Sequence, residues 1–221
     1  MKRELRRWEI VGFAVTGLVG TLLHFVYGWS DGSRVAAAFS AVNESTWEHM
    51  KLLFLPYFVF AVVEFIVFSE VFRNFFAVKA VSILLGLAAI PTLFYTCAGA
   101  FGELPGWGNI LIFFLADALA YLVGYRWLTD GRLRGGAMQL AGFALLWALL
   151  FAFVWFTYRT PHLPLFLDPV SGCYGDAVPV PAGQLEDGVQ PGILQHLAGG
   201  QGAQTHDGGL VIGDVDEVDT L

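Results

Sequence analysis

The sequence predicts an all-α protein. The expected architecture is a polytopic membrane bundle of about five transmembrane helices with a proline-rich segment over one mouth and an acidic tail. Three observations carry this. Only 14% of the 221 residues are charged while 56% are hydrophobic, against about 25% charged in a soluble domain. Apolar runs at residues 8–27, 50–72, 75–98, 106–127 and 136–158 are each long enough for a helix to cross ~30 Å of hydrocarbon. None alternates as a barrel strand does, and a helix satisfies its own backbone in lipid.

The first run follows "MKRELRR" and resembles a secretory leader, with Ala36 and Ala38 placed like a cleavage site. It is longer than the usual ~7–15 apolar residues of such leaders, so it is read as a retained span. Within it Gly12, Thr16, Gly20 and His24 recur every four residues. Small residues at that spacing let helices approach closely in lipid, so His24 should face protein at the end of a packed stripe.

The second run is entered through "NESTWEHMK" at 43–51. Ser45 and Glu48 have capping-box spacing, and Glu44 and Glu48 complement a helix N-terminus. Capping leaves Glu44 and His49 over. Carboxylate and imidazole on adjacent turns suit a divalent metal or proton transfer. Farther along, Pro56 leaves the Leu52 carbonyl without its helical donor, and Pro91 in the third run does the same for Leu87.

Glu64 in the second run and Asp117 in the fourth fall about 16–21 Å from the entrance, counting ~1.5 Å per residue. No Lys or Arg lies in the core of any span to balance them, so these carboxyls should be protonated, hydrogen-bonded or bound to a cation. Tyr121, on the face of Asp117, is the expected partner. After the fifth run, "RTPHLPLFLDPVSGCYG" at 159–175 has three prolines that bar a regular helix. It is too apolar for a solvated loop, and it should fold over the bundle and bring His162 and Asp168 toward His24 and the "NESTWEH" stretch.

Nine Lys or Arg residues fall at the N-terminus and the two links on its side, including Lys79, against three on the other side, including Lys51. The positive-inside rule then puts the N-terminus in the cytoplasm and residues 161–175 outside. Cys97 and Cys173 would both face the oxidising side, as two free thiols or as a disulfide. The net charge of −7 belongs to residues 176–221, which hold eight acidic residues, no Lys or Arg and nine glycines. That composition predicts a disordered tail following a domain of residues 1–175. No basic patch with interleaved aromatics points to nucleic acid.

The stretches "HFVYGWSDGS", "VNESTWEHMKLLFLP" and "PHLPLFLDPVSGCYG" resemble a family of uncharacterised bacterial integral-membrane proteins, a domain of unknown function. Its signature is NES-x-WEH-x-K with a closing PLF-x-D…G-x-YG. Thr46 stands where that family has a larger aliphatic residue. The resemblance implies a bacterial cytoplasmic membrane and no particular activity.

Three functions follow from the residues. The first is metal-assisted hydrolysis or transfer on a lipid or envelope precursor, with His24, His49 and His162 as ligands of a divalent ion such as zinc and Glu44, Glu48 and Asp168 as catalytic groups. The second is a small proton- or cation-coupled carrier using Glu64 and Asp117, for which five spans suggest a homodimer. The third is a non-catalytic membrane protein that holds a partner through its proline-rich segment.

Overall fold

The computed structural model describes residues 1–68, 70–102 and 104–175. The acidic stretch that follows lies outside the described residues. Among those described, the chain is helical: α1 (Lys2–Trp29), α2 (Arg34–Phe39), α3 (Thr46–Phe68), α4 (Phe75–Phe101), α5 (Gly106–Asp130) and α6 (Gly136–Tyr158). A 3₁₀ turn at Pro164–Phe166 and an isolated bridge between Leu167 and Tyr174 complete it. All but α2 are long and apolar enough to cross a membrane.

α2 has no counterpart in the sequence reading. At six residues it is too short to show a helical period, and its alanines drew notice only for their likeness to a leader's cleavage site. α1 begins at Lys2 rather than at residue 8 because the basic segment joins the helix. There long cationic side chains can reach out of the apolar zone.

α3 is the central helix. It is apolar almost all round, the pattern of a helix enclosed by others, and it packs against α1 and α4 while α4 packs against α5 and α6. α1 meets α3 and α5 through the predicted small-residue stripe, with Gly12, Thr16 and Gly20 all buried. At Gly20 an added Cβ would stand 2.7 Å from the Leu52 carbonyl oxygen and 2.7 Å from Phe113. The carbonyl that Pro56 deprives of its donor is therefore one that α1 approaches closely, at Gly20.

α6 is seated on α4 at Gly142, where an added Cβ would come within 2.6 Å of the Ala77 backbone. Backbone cannot yield as a side-chain tip can. Gly142→Ala should therefore lower stability by about 1–3 kcal/mol, the usual cost of overpacking. The readout is the unfolding midpoint in detergent. Gly136→Ala, with nothing within 4 Å, serves as the unchanged control.

Two lysines assigned to loops lie inside helices. Lys79 is fully buried one turn into α4, and Lys51 is fully buried in the second turn of α3. Both flank apolar runs, where a Lys ordinarily marks the water boundary. Here each faces inward because carboxylates await it. Lys79 thereby overturns the expectation that no cation compensates Glu64. Of the remaining ten basic residues, eight lie at the α1 N-terminus or in or beside the α3–α4 and α5–α6 links. Asn74 ties those two links together by donating to the Trp127 and Arg132 carbonyls.

Cys97 and Cys173 are free thiols.

Candidate functional site

The site lies where α1 ends and α3 begins. Ser45 accepts the Glu48 backbone N–H at 3.4 Å, but Glu48 does not reach back to complete the capping box. The Ser45 N–H goes instead to Asn43 Oδ1 at 2.9 Å. Asn43 also donates to the Gly175 carbonyl at 2.8 Å, which fastens the closing segment to this corner. Phe166 from that segment stacks on Trp47, with ring centroids 4.7 Å apart.

This corner gathers three of the sequence candidates. His24 Nε2 is 3.3 Å from Glu44 Oε1, and His49 Nε2 is 3.7 Å from Glu44 Oε2. Ligand atoms of all three residues lie within 4.8 Å of one another. Around a tetrahedral ion with bonds of ~2.0 Å, neighbouring ligand atoms stand about 3.3 Å apart, so little movement separates this geometry from a coordinated one.

The His49 ring is held from behind. Its Nδ1 lies 3.0 Å from the Ser45 carbonyl, an oxygen that can only accept, so Nδ1 carries the proton. Nε2 is then left with a lone pair facing the Glu44 carboxylate. Two electron-rich atoms facing each other call for a cation between them, whether proton or metal. The same backing carbonyl is what orients metal-ligating histidines in general.

The His24 imidazole beside Glu44 holds its carboxyl below the usual carboxylate range, against the opposing effect of partial burial. Because the shift is downward, Glu44 stays ionised through neutral pH and loses its charge only well into acid.

Two cavities, of about 300 and 510 Å³, share Glu44, His49, Asn109 and Phe113 in their walls. The smaller is bounded by Phe25 and Ile110, which are also exposed on the outside of the helices, so it opens sideways between α1 and α5. The larger opens beside Leu104 and the Pro169–Val170 turn, where Val170 is exposed. Asn109 Oδ1 is buried and has no hydrogen-bond partner. Sequence reasoning missed Asn109 because a lone Asn in an apolar helix carries no spacing signal.

The other candidates are not among the three converging ligands. Glu48 is buried against Lys51, with Nζ 2.6 Å from Oε2, and also accepts the Val42 N–H. Lys51 in turn donates to the Ala37 carbonyl and to Thr157, so this pair knits α2, α3 and α6. The i,i+3 spacing of Glu48 and Lys51 was a legible signal for it. His162 stacks on Tyr174, at 4.7 Å between centroids, and lies outside the group of three. Asp168 accepts from the Val170 N–H and the Ser171 hydroxyl, shaping its own turn.

Glu64 and Asp117 are fully buried and lie outside the group of three. Lys79 lies 2.5 Å from Glu64 and 2.9 Å from Glu9. The expected Asp117–Tyr121 bond is absent: the Tyr121 hydroxyl pairs with Thr16 at 2.8 Å, and both Asp117 oxygens lack a partner.

The fold and the site together define a multi-pass helical membrane protein with an imidazole–carboxylate cluster beside two cavities. The chain belongs to the family of unknown function DUF6512, whose pattern matches residues 1–176. Comparison with curated proteins and with solved structures finds no match.

Proposed function

We propose that His24, Glu44 and His49 bind a divalent transition metal and that the chain is a metal-assisted hydrolase or transferase acting on an amphiphile. It would lie in a bacterial cytoplasmic membrane with the trio on the extracytoplasmic side, as eight basic residues at the opposite end favour. The observation that carries the reading is the convergence of three ligand atoms within 4.8 Å at the smaller cavity, two of them, from Glu44 and His49, on the wall it shares with the larger.

Two imidazoles and a carboxylate form one of the catalytic zinc sets, which keep a position open. A divalent ion there would supply Lewis acidity to a carbonyl or phosphoryl oxygen and would acidify a coordinated water. The protein's own part is placement. A lipid chain entering sideways past Phe25 and Ile110 would lie in the smaller cavity and present its polar head at the trio. Water would reach the same point through the larger opening. The unpartnered Asn109 oxygen is available to accept a hydrogen bond from the substrate's head. Glu48 and Asp168 are already engaged, so the reading assigns them to holding the corner in shape.

The test is the metal content of protein purified without chelator, followed by hydrolysis assays on ester- and phosphate-headed lipids in mixed micelles. About one ion per chain and lipid hydrolysis abolished by chelation are expected. Lipid hydrolysis by metal-free protein would reject the mechanism. Occupancy should also fall on acidification, because a protonated imidazole cannot ligate a metal. Glu44 does not set that limit, because its lowered pKa keeps it ionised well into acid. Metal analysis after dialysis at stepped pH reads this directly, and occupancy that survived full imidazole protonation would exclude the two histidines as ligands.

A further inference from the structure

A second group of buried ionisable residues, which the metal reading does not use, occupies the opposite end of the bundle. Glu9 of α1, Glu64 of α3 and Lys79 of α4 meet there, about 22 Å along α3 from the trio at ~1.5 Å per residue. Lys79 contacts both Glu9 oxygens, at 2.9 and 3.1 Å, as well as Glu64. Tyr57 of α3 and Tyr121 of α5 face the ammonium, each with its ring centroid 5.4 Å from Nζ. Asp117 lies one turn from Tyr121 along α5, toward the cavities, fully buried beside Gly17 and with both oxygens unpartnered. α6 has no titratable residue before Tyr158.

The charges do not balance. Three buried carboxyls lie near a single ammonium, which contacts only Glu9 and Glu64, so full ionisation would leave two unbalanced negative charges inside the bundle. Lys51 cannot help, since it is matched to Glu48. The deficit needs positive charge of another kind. A hard metal cation takes about six or more oxygen ligands, and Asp117 has no polar partner to share one with. A proton needs no such shell.

We propose that Glu9, Glu64 and Asp117, organised by Lys79, form a proton-binding relay through which the bundle passes protons between its two ends. Hydroxyl groups line the way. Tyr57 pairs with Ser82 at 2.7 Å and Tyr121 with Thr16 at 2.8 Å, between the Lys79 group and Asp117. Beyond Asp117, one turn of α5 leads to Phe113, which lines both cavities at the trio. Asp117 has no side-chain oxygen within hydrogen-bond reach, so the steps into and out of it run through transient water entering from the cavities; each step moves one proton and no electrons.

The experiment is proton flux in phosphatidylcholine–phosphatidylglycerol vesicles containing the full chain and the dye pyranine, driven by a valinomycin-clamped potassium gradient. Flux above that of protein-free vesicles is expected. It should fall to the protein-free level in Asp117→Asn and recover in part in Asp117→Glu. The metal content of Asp117→Asn should equal that of the wild type, which separates this inference from the proposed metal site. Wild-type flux at the protein-free level, wild-type flux retained in Asp117→Asn, or flux that follows a sodium gradient would each overturn it. Should Asp117→Asn not fold, the wild-type infrared spectrum decides. A protonated carboxyl band at neutral pH that shifts in heavy water is expected, and its absence would overturn the relay.

Discussion

His49→Ala is expected to abolish metal retention while leaving the bundle folded. Removing even an outer hydrogen-bond partner of a metal ligand costs about 10–100-fold in affinity. Removing the ligand itself should cost more, so the variant should lose its ion during purification and show no lipid hydrolysis. The fold should survive. The imidazole contributes one hydrogen bond, to the Ser45 carbonyl, which keeps the His49 backbone N–H as a donor at 3.2 Å. Titration calorimetry with zinc and detergent unfolding curves read the two effects separately. A folded His49→Ala variant that bound zinc like the wild type would remove His49 from the site. His162→Ala makes the contrast. Its ring stacks on Tyr174, outside the group of three, so its zinc affinity should match the wild type.

Lys79→Met should produce the largest loss of stability of any single substitution considered for this chain. The ammonium is fully buried against two carboxylates from different helices. Deleting one partner of a buried ion pair leaves uncompensated charge, at a cost of about 3–5 kcal/mol. Adding Glu9→Gln to Lys79→Met should recover part of the loss at neutral pH. Unfolding in detergent micelles of the single and double variants measures both effects. A Lys79→Met variant as stable as the wild type would mean that the ammonium does not hold α1, α3 and α4 together.

Much of the fold was legible because lipid imposes a simple rule: a spanning helix must be apolar along its length. Hence the starts of α4, α5 and α6 coincide with the starts of their apolar runs. The stripe from Gly12 to Gly20 was legible for a similar reason, since close approach demands small residues at helical spacing. His24, Glu44 and His49 stood out as polar groups at one end of apolar runs, and only coordinates could say which of them meet.

What was not legible depends on partners distant in sequence. Lys79 reads as a boundary cation until Glu9 and Glu64 are placed beside it. Tyr121 has the right spacing to reach Asp117 along α5, but Thr16 from α1 offers its hydroxyl instead. His162 and Asp168 carry the same residue types as the site, and their neighbours Tyr174 and Ser171 are the groups they engage. Of these, only the Asp168 turn had a local signal, in its Asp-Pro sequence.

The most direct measurement is X-ray absorption spectroscopy of the zinc-loaded wild-type protein in detergent. The expected spectrum has nitrogen and oxygen ligands near ~2.0 Å with outer-shell scattering from two imidazole rings. Failure to retain zinc at all, or a zinc shell without imidazole scattering, would contradict a metal centre at His24, Glu44 and His49.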